Sequence, residues 1–366
     1  MRAVATTARP LVAGPSITRT GIVLGGGGLL LLAVLVAGVG LGSVGVAPDD
    51  VAGILAHRLL GLNLGQTWSN EAETIVFVLR LPRVLTAMLV GAGLACAGVV
   101  FQALLRNPMA DPYIIGTAAG ASLGAIAGIL APVLLPALAV GAGSAWLGLG
   151  LVQLLAFGGG LATVLVVYGV ARSAGRVPVV TLLLTGYAVS SVFAAGVALL
   201  MFASGRALAA IFGWLMGSLA GASWTDLAFA APLILAAFAL IVVRWRRLNL
   251  LLLGESQAAH LGVDVEREKL LLTMLATLAT SAAVAISGTI GFVGLVVPHV
   301  LRLAIGPDHR LLLPAALLYG ACLLALADLG ARLVGGIPVG IVTALIGAPF
   351  FLWLLRRSRL TGSVTG

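Results

Sequence analysis

The chain has 366 residues, of which 61% are hydrophobic and 9% are charged, and its mean hydropathy is +1.17. Because a soluble domain carries about a quarter of its residues as charged side chains, this composition excludes an ordinary soluble protein and predicts an all-α protein that crosses a bilayer several times. The net charge of +9 comes from Lys and Arg in short loops, without the basic face and interleaved aromatic residues of nucleic-acid binders, so no nucleic-acid partner is expected.

Ten apolar stretches approach the ~20 residues that a helix needs to cross a bilayer. They are residues 21–46, 81–104, 114–131, 146–171, 181–203, 226–243, 270–287, 292–305, 311–334 and 337–355. The eighth is short and has three glycines near its start, so we expect it to be broken or to span only in part. The intervals 47–79 and 204–223 are predicted to lie at the membrane surface and to include a short periplasmic helix.

The distribution of basic residues predicts the orientation of these spans. An even number of spans puts both termini on one side, and cytoplasmic loops carry the excess of Lys and Arg. The loops on the side of the termini hold 15 of the 21 Lys and Arg residues, and the opposite loops hold five. We therefore expect cytoplasmic tails at 1–20 and 356–366, one membrane domain at 21–355, and a cytoplasmic loop at 244–269.

The second span carries a stripe of small residues. Ala87, Gly91, Ala95 and Val99 repeat every four residues, and Gly98 lies close to the stripe. Small residues at this spacing let two helices approach closely in lipid. We expect this face to pack against other helices.

Two prolines follow the second span, in the sequence FQALLRNPMADPYIIG at 101–116. Pro108 and Pro112 prevent a continuous helix, and each disfavours helical geometry at the residue before it, Asn107 and Asp111. The segment is predicted to be either a tight cytoplasmic hairpin or a gate loop, because irregular backbone at a membrane face is tolerated where it lines a cavity.

Three arginines are predicted on the outer side. Arg80 and Arg83 open the second span, and Arg332 ends the ninth. Anchoring of helix ends at the interface is one explanation. The other is an outward-facing set of guanidiniums that binds carboxylates of an external partner.

Few residues within the spans could carry chemistry. Asp328 is predicted to pair with Arg332, four residues further along the same helix face. His299 follows a proline and is expected to hydrogen-bond at a kink rather than to bind a metal. Cys96 and Cys322 lie in apolar runs, without metal or disulfide spacing. No catalytic or metal site is expected.

The longest charged interval is residues 244–269, which hold nine of the chain's 33 charged side chains. Its position between two apolar spans predicts a water-facing surface for another protein, with a solvated loop as the alternative. The sequence has no GxxxxGK[ST] motif for nucleotide phosphates. Any ATP and Mg²⁺ must therefore be bound by another subunit, and no cofactor is expected in this one.

Glycines divide this charged interval. Gly254 and Gly262 are predicted to interrupt the helix, which leaves a short helix over 255–261 and a second short charged helix after Gly262. Two short helices parallel to the membrane would form a socket for a cytoplasmic protein. The arginines at the start of the interval are expected only to hold the orientation of the sixth span.

Six sequence blocks occur in an order that is typical of one transporter family. They are RLPR at 80–83, QALLRNPMADP at 102–112, GWLMGSL at 213–219, LGESQAAHLGV at 253–263, SGTIGFVGLVVPHVLR at 287–302 and PVGIVTALIGAPFFLWLL at 338–355. With these blocks the chain resembles the permease subunits of ATP-binding-cassette importers for iron-siderophores, haem and cobalamin. The resemblance covers nearly the whole chain, from the first span to Arg357.

The resemblance implies a ten-helix permease in the cytoplasmic (inner) membrane of a bacterium or archaeon. Such permeases work as a homodimer with two cytoplasmic ATPase subunits and an external substrate-binding protein, so the chain itself is not an enzyme. The expected cargo is an iron(III)-siderophore, with haem or cobalamin as alternatives. A stand-alone secondary transporter would need a titratable relay inside the bilayer, for which Asp328 and His299 are the only groups.

The resemblance also implies roles for particular residues. The ATPase-coupling segment would include Gly254, Glu255, Ala258, Leu261, Gly262 and Val263. The cytoplasmic gate would comprise Asn107, Pro108 and Met109 together with Val179, Val180 and Thr181; here VPVVT at 177–181 lacks the small hydroxyl residues that some members carry. Binding-protein docking would use Arg80, Arg83 and Arg332, and the pathway wall Thr185, Ser190, Ser191 and Thr343.

Overall fold

The structure, a computed structural model, describes residues 16–360 except 43, 63–67, 135–149 and 174, with the backbone alone for 133, 134, 355 and 357–360. Within these ranges the secondary structure is helical, apart from one isolated bridge between Ser173 and Arg176. The helices of the described ranges are α1 Ile17–Gly40, α2 Pro48–Leu60, α3 Asn70–Leu104, α4 Thr117–Leu134, α5 Leu151–Ala171, α6 Val179–Ala203, α7 Leu208–Leu215, α8 Trp224–Val243, α9 Trp245–Leu251, α10 Glu255–His260, α11 Val265–Ser287, α12 Val293–Ile305, α13 His309–Leu333 and α14 Val339–Leu360.

Seven of these helices are long and apolar enough to cross a membrane, namely α1, α3, α5, α6, α8, α11 and α13. The apolar parts of α4, α12 and α14 are shorter and coincide with the third, eighth and tenth predicted spans. The prediction of an all-α, polytopic membrane protein is therefore confirmed. Parts of five predicted segments lie outside the described residues, namely 1–15, 43, 63–67, 146–149 and 361–366.

Helix α3 begins at Asn70 rather than at the predicted residue 81. Its start is capped by Ser69, whose Oγ accepts a hydrogen bond from the backbone N–H of Ala72 (3.2 Å). The helix continues past Pro82, which has no N–H to donate, because a π-helical stretch over Thr74–Arg80 precedes it. The predicted start of this span at residue 81 is therefore wrong.

The centre of the bundle is formed by α3, α11 and α13. Of the residues in their most apolar stretches, 83%, 78% and 67% are buried, against 11% in α6. The predicted small-residue face of α3 is confirmed, since a Cβ on Gly91 would lie 2.2 Å from Gly320 O and one on Gly98 only 1.8 Å from Gly294 O. Backbone contact with α13 and α12 therefore requires glycine at both positions.

The eighth predicted span is unbroken but short, and an irregular stretch separates it from the seventh. Helix α11 ends at Ser287, Gly288 has a φ of +67°, and α12 starts only at Val293 and has 13 residues. Polar groups of the irregular stretch are bonded inside the protein: Thr289 Oγ1 donates to Leu215 O (2.6 Å) and Tyr113 Oη donates to Ile290 O (3.0 Å). Non-helical backbone is tolerated at this depth because such partners replace water.

The bundle has two ends, which we call the α10 end and the arginine end. The α10 end carries α9, α10 and the loop at 105–116, because Arg106 Nη1 lies 3.4 Å from the position of a Cβ on Gly254. Helix α1 starts at the same end, where Arg19 donates to Ala304 O (2.8 Å). The arginine end carries the last turn of α1 together with Arg80, Arg83 and Arg332.

Candidate coupling, gate and docking sites

The segment predicted to couple to an ATPase forms one short, exposed helix. Gly254 and Gly262 have φ values of +111° and +85°, which L side chains rarely adopt, and they delimit α10 on both sides. The predicted second short helix is wrong. Asp264 Oδ1 accepts a hydrogen bond from Arg267 N (3.3 Å) and caps α11, so the charged residues after Gly262 form the first turns of that long helix.

The six predicted coupling residues do not share one face. Ala258 and Val263 are buried against the bundle, whereas Leu261 and Gly262 are exposed and Glu255 is half-buried. The exposed surface of α10 also includes residues that the sequence did not single out, namely Ser256, Gln257, Ala259 and His260. These residues are exposed because Ala258 is the one buried residue of this short helix.

Charged side chains fasten α10 and α9 to the start of α11. Glu268 pairs with both Arg244 and Arg247, and the Glu268 side chain is 3% exposed. On the neighbouring side, Lys269 Nζ lies 3.1 Å from a carboxylate oxygen of Glu255. The charged interval is thus an ordered structure rather than a solvated loop.

The loop at 105–116 is held in one shape by local hydrogen bonds. Asn107 Oδ1 accepts from Met109 N (2.9 Å), and Asp111 Oδ1 accepts from Tyr113 N (2.9 Å). His299 Nδ1 lies 3.2 Å from Pro108 O. This histidine therefore contacts the loop, and not a carbonyl at the kink of its own helix, which was the prediction. The loop therefore presents Asn107 and Pro108 at the surface while α12 supports it from beneath.

Asp111 is the carboxylate of this loop. Loss of hydration raises the pKa of its carboxyl to about 6, and the hydrogen bond from the backbone of Tyr113 opposes that rise. The carboxylate is therefore costly to ionise at neutral pH.

The second predicted gate segment forms the first turn of α6. Val179 is half-buried, while Val180 and Thr181 are exposed. Val177, just before the helix, is buried and donates its backbone N–H to Glu266 Oε2 (3.0 Å). The two gate segments lie at the same end of the bundle as α10.

The four predicted pathway residues fall in two environments. Thr185, Ser190 and Ser191 lie on α6, where the serine hydroxyls donate to Gly186 O and Tyr187 O of the same helix. Thr343 differs from the prediction of an open wall, because it is 5% exposed and lines a small pocket between α12, α13 and α14. Of the four, the α6 residues stand on a face that the described part of the chain leaves uncovered.

At the arginine end, two guanidiniums cap the last turn of α1. Arg80 Nη1 donates to Val39 O (3.1 Å) and Gly40 O (3.0 Å), and Arg332 Nη2 donates to Gly38 O (2.8 Å). The last carbonyls of a helix have no intrahelical partner, and a cation there also opposes the negative end of the helix dipole. Arg80, which is 6% exposed, therefore has a structural partner.

Asp328 binds two arginines in this cluster. Its predicted pair with Arg332 is confirmed (Nε to Oδ2, 3.2 Å), and Arg83 adds a bidentate contact (Nη2 to Oδ1, 2.8 Å). The expectation of three outward-facing guanidiniums is corrected, because all three are engaged within the chain. Sequence could not indicate Arg83 as a partner, since it lies far from Asp328 along the chain.

The comparisons with known proteins agree with this architecture. The model of the FecCD transport family matches residues 29–357, so the chain belongs to this family, whose members are permeases of ATP-binding-cassette importers.

Among its relatives, the cobalamin import system permease of Halobacterium salinarum is 46% identical over 78% of this chain and 74% of its own length. The hemin transport system permease of Yersinia pestis is 40% identical over 91% of this chain and 95% of its own. A solved structure described as a metal-chelate type ABC transporter in an inward-facing conformation has a TM-score of 0.76 and 33% identity, covering 92% of this chain and 99% of its own.

Proposed function

We propose that this chain is the membrane-spanning permease of an ATP-driven importer that brings a metal chelate into the cell. The observation that carries the proposal is the exposed face of α10, from Ser256 to Leu261, on a member of the FecCD family whose sequence has no phosphate-binding loop. A separate ATPase would dock on this face. The α10 end would then face the cytoplasm, as the excess of basic residues in its loops supports.

Within this proposal, the six coupling residues have three different roles. Glu255, Leu261 and Gly262 are exposed or half-buried and would contact the ATPase, whereas Ala258 and Val263 would seat α10 on the bundle. Gly254 supplies the positive φ that starts the helix at this angle. Closure of the ATPase pair would push on α10 and shift the balance between inward-open and outward-open states.

We propose that a second copy of the chain completes the transport pathway. Helix α6 leaves a wide apolar face uncovered, with Leu184, Tyr187, Val192, Leu199 and Phe202 exposed. On a membrane helix such a face meets lipid or another helix, and the small hydroxyl residues of α6 favour another helix. Two α6 helices would then line the pathway with Thr185, Ser190 and Ser191, and the segments Asn107–Met109 and Val179–Thr181 would close its cytoplasmic end.

The arginine end is proposed to receive the substrate-binding protein. Arg80, Arg83 and Arg332 outnumber the one carboxylate of the cluster, Asp328, so a positive charge remains for an acidic partner even with the internal bonds in place. Long-range attraction of this kind speeds docking and weakens with salt.

The proposed cargo is a metal chelate, with an iron(III)-siderophore, hemin and cobalamin as the panel to be tested. Cobalamin and hemin stand in the names of two relatives, and the metal-chelate class in the description of the solved structure. A stand-alone secondary transporter is not supported, because Asp328 is bound by two arginines and forms no relay.

Uptake into proteoliposomes tests the proposal. The chain is reconstituted with its cognate ATPase and binding protein, and uptake of each chelate is measured with ATP on the ATPase side. We expect uptake of one chelate that needs ATP and is lost when the catalytic carboxylate of the ATPase is replaced. Uptake that persists without ATP and follows a proton gradient would overturn the proposal.

A further inference from the structure

The sequence contains a single lysine, Lys269, beside 20 arginines. Its side chain is 7% exposed and lies in the first turns of α11, next to the coupling helix. Burying a charge is costly unless it is paired and fully hydrogen-bonded. The partners of this ammonium therefore indicate what the position does.

Three acceptors surround Lys269 Nζ. They are Val177 O at 2.8 Å, Glu255 Oε1 at 3.1 Å and Glu266 Oε1 at 3.1 Å. An ammonium has three N–H donors, so each donor has one acceptor. A planar guanidinium cannot match three acceptors placed around a point, which is a physical reason for lysine in a chain that otherwise uses arginine.

Each acceptor belongs to a different element. Glu255 is the first residue of α10, Glu266 lies in the first turn of α11, and Val177 precedes Pro178, the residue that caps α6. Val177 is held at both its backbone groups, because its N–H donates to Glu266 Oε2 (3.0 Å) while its carbonyl accepts from Lys269. The coupling helix and the start of the uncovered helix α6 thus meet at one side chain.

We propose that Lys269 is a positioning residue that fastens α10 to the start of α6, so that displacement of α10 by an ATPase moves the gate segment Val179–Thr181. The proposal rests on the proposed function for its direction of force, but the link itself is a property of the single chain. Glu255 is half-buried and belongs to the surface of α10, so a shift of α10 acts on the ammonium first. Val177, at 1% exposure, has little room to move independently.

The link is tested first in the purified chain without any partner. Amide hydrogen exchange is measured over residues 177–186 in the wild type and in Lys269→Met, which keeps the aliphatic stem but removes the ammonium. Loss of hydrogen bonds to a charged group should speed exchange there by about tenfold. Arg267→Met is the matched control, because Arg267 is an exposed cation of the same turn that pairs with the exposed Asp264.

A second readout uses the fact that Lys269 is the only side-chain amine. In Glu255→Gln, one of the three acceptors loses its charge while the Glu266–Val177 bond remains. We expect acetylation of Lys269 by acetic anhydride to become several-fold faster, with exchange over 177–186 unchanged. This variant keeps the test decisive if Lys269→Met does not fold.

The third readout is the amount of chelate taken up per ATP hydrolysed in proteoliposomes. Lys269→Met should assemble with the ATPase and hydrolyse ATP, yet transport several-fold less chelate per ATP. Wild-type exchange over 177–186 in Lys269→Met, unchanged acetylation of Lys269 in Glu255→Gln, or an unchanged ratio of uptake to hydrolysis in Lys269→Met would overturn the proposal. Absence of ATP-driven uptake in the wild type would overturn the proposed function instead, and it would be seen before any variant is compared.

Discussion

At the scale of single residues, the charged side chains of the arginine end bind other groups of the same chain. Asp328 is 1% exposed and pairs with both Arg83 of α3 and Arg332 of α13. The guanidinium of Arg80 donates hydrogen bonds to backbone carbonyls of α1. Leaving one buried charge without its partner is strongly destabilising. Substitutions at these arginines would therefore disturb helix packing as well as any docking.

Asp111 gives a prediction about pH. Burial raises the pKa of its carboxyl to about 6 from an ordinary 3.8, so the folded state binds this proton more tightly than the unfolded state does. The resulting contribution to the free energy of unfolding is complete below pH 3.8 and is lost as the pH rises through 6. Asp111→Asn keeps an oxygen acceptor for Tyr113 N and cannot ionise. As the pH rises from 4 to 7.5, the unfolding free energy of the variant should increase by about 1–3 kcal/mol relative to that of the wild type.

Thermal unfolding in nanodiscs at several pH values measures this gain. Asp264→Asn serves as the control, because Asp264 is an exposed cap for which the same replacement retains an acceptor. A difference between wild type and Asp111→Asn that does not change with pH would contradict the assigned environment.

At the scale of elements, close backbone contacts decide where helices cross. Gly98 of α3 meets Gly294 of α12, and a Cβ there would lie 1.8 Å from a backbone oxygen that cannot rotate away. Gly98→Ala should therefore cost at least about 2 kcal/mol of unfolding free energy, since the two helices must separate.

Gly158→Ala is the matched control for this substitution. Gly158 lies in α5, is exposed and has no atom within 4 Å of a Cβ, so alanine there should be neutral or stabilise by about 0.5–1 kcal/mol. Equal thermal unfolding temperatures for the two variants would contradict the packing described for α3 and α12.

Elements also show how far sequence could predict this structure. The apolar runs located the spans, and the spacing of Ala87, Gly91 and Ala95 identified a packing face, because both signals are local. The start of α3 at Asn70 was missed, and the π-helical stretch over Thr74–Arg80 that precedes Pro82 has no simple sequence signal. The charged residues after Gly262 seemed a separate helix, because charge gave no sign that α11 extends beyond its apolar part.

The candidate sites were predictable only in part, because local sequence patterns do not specify contacts between distant helices. Gly254 and Gly262 indicated α10 through their own conformational preferences. The partners of Lys269 and Asp328 come from other helices, such as Val177 and Arg83, and no local pattern specifies which helices become neighbours. Thr343 looked like a wall residue, yet the packing of α14 turns it inward.

At the scale of the whole molecule, two surfaces of the single chain carry the proposed assembly. One is the apolar face of α6, of which little is buried, and the other is the exposed surface of α10. Both fit a permease that works as two copies with an ATPase at the α10 end. The Lys269 cluster lies between these two surfaces and would connect them.

Site-specific cross-linking to the purified ATPase tests this arrangement most directly. Cys96 and Cys322 are buried, so a cysteine introduced at an exposed position reacts selectively. We predict that Gln257→Cys on α10 forms a cross-link with the ATPase, and that Asn70→Cys, exposed beyond the arginine end of α3, does not. No adduct at position 257 in a complex that still transports, or equal adducts at both positions, would contradict α10 as the surface that receives the ATPase.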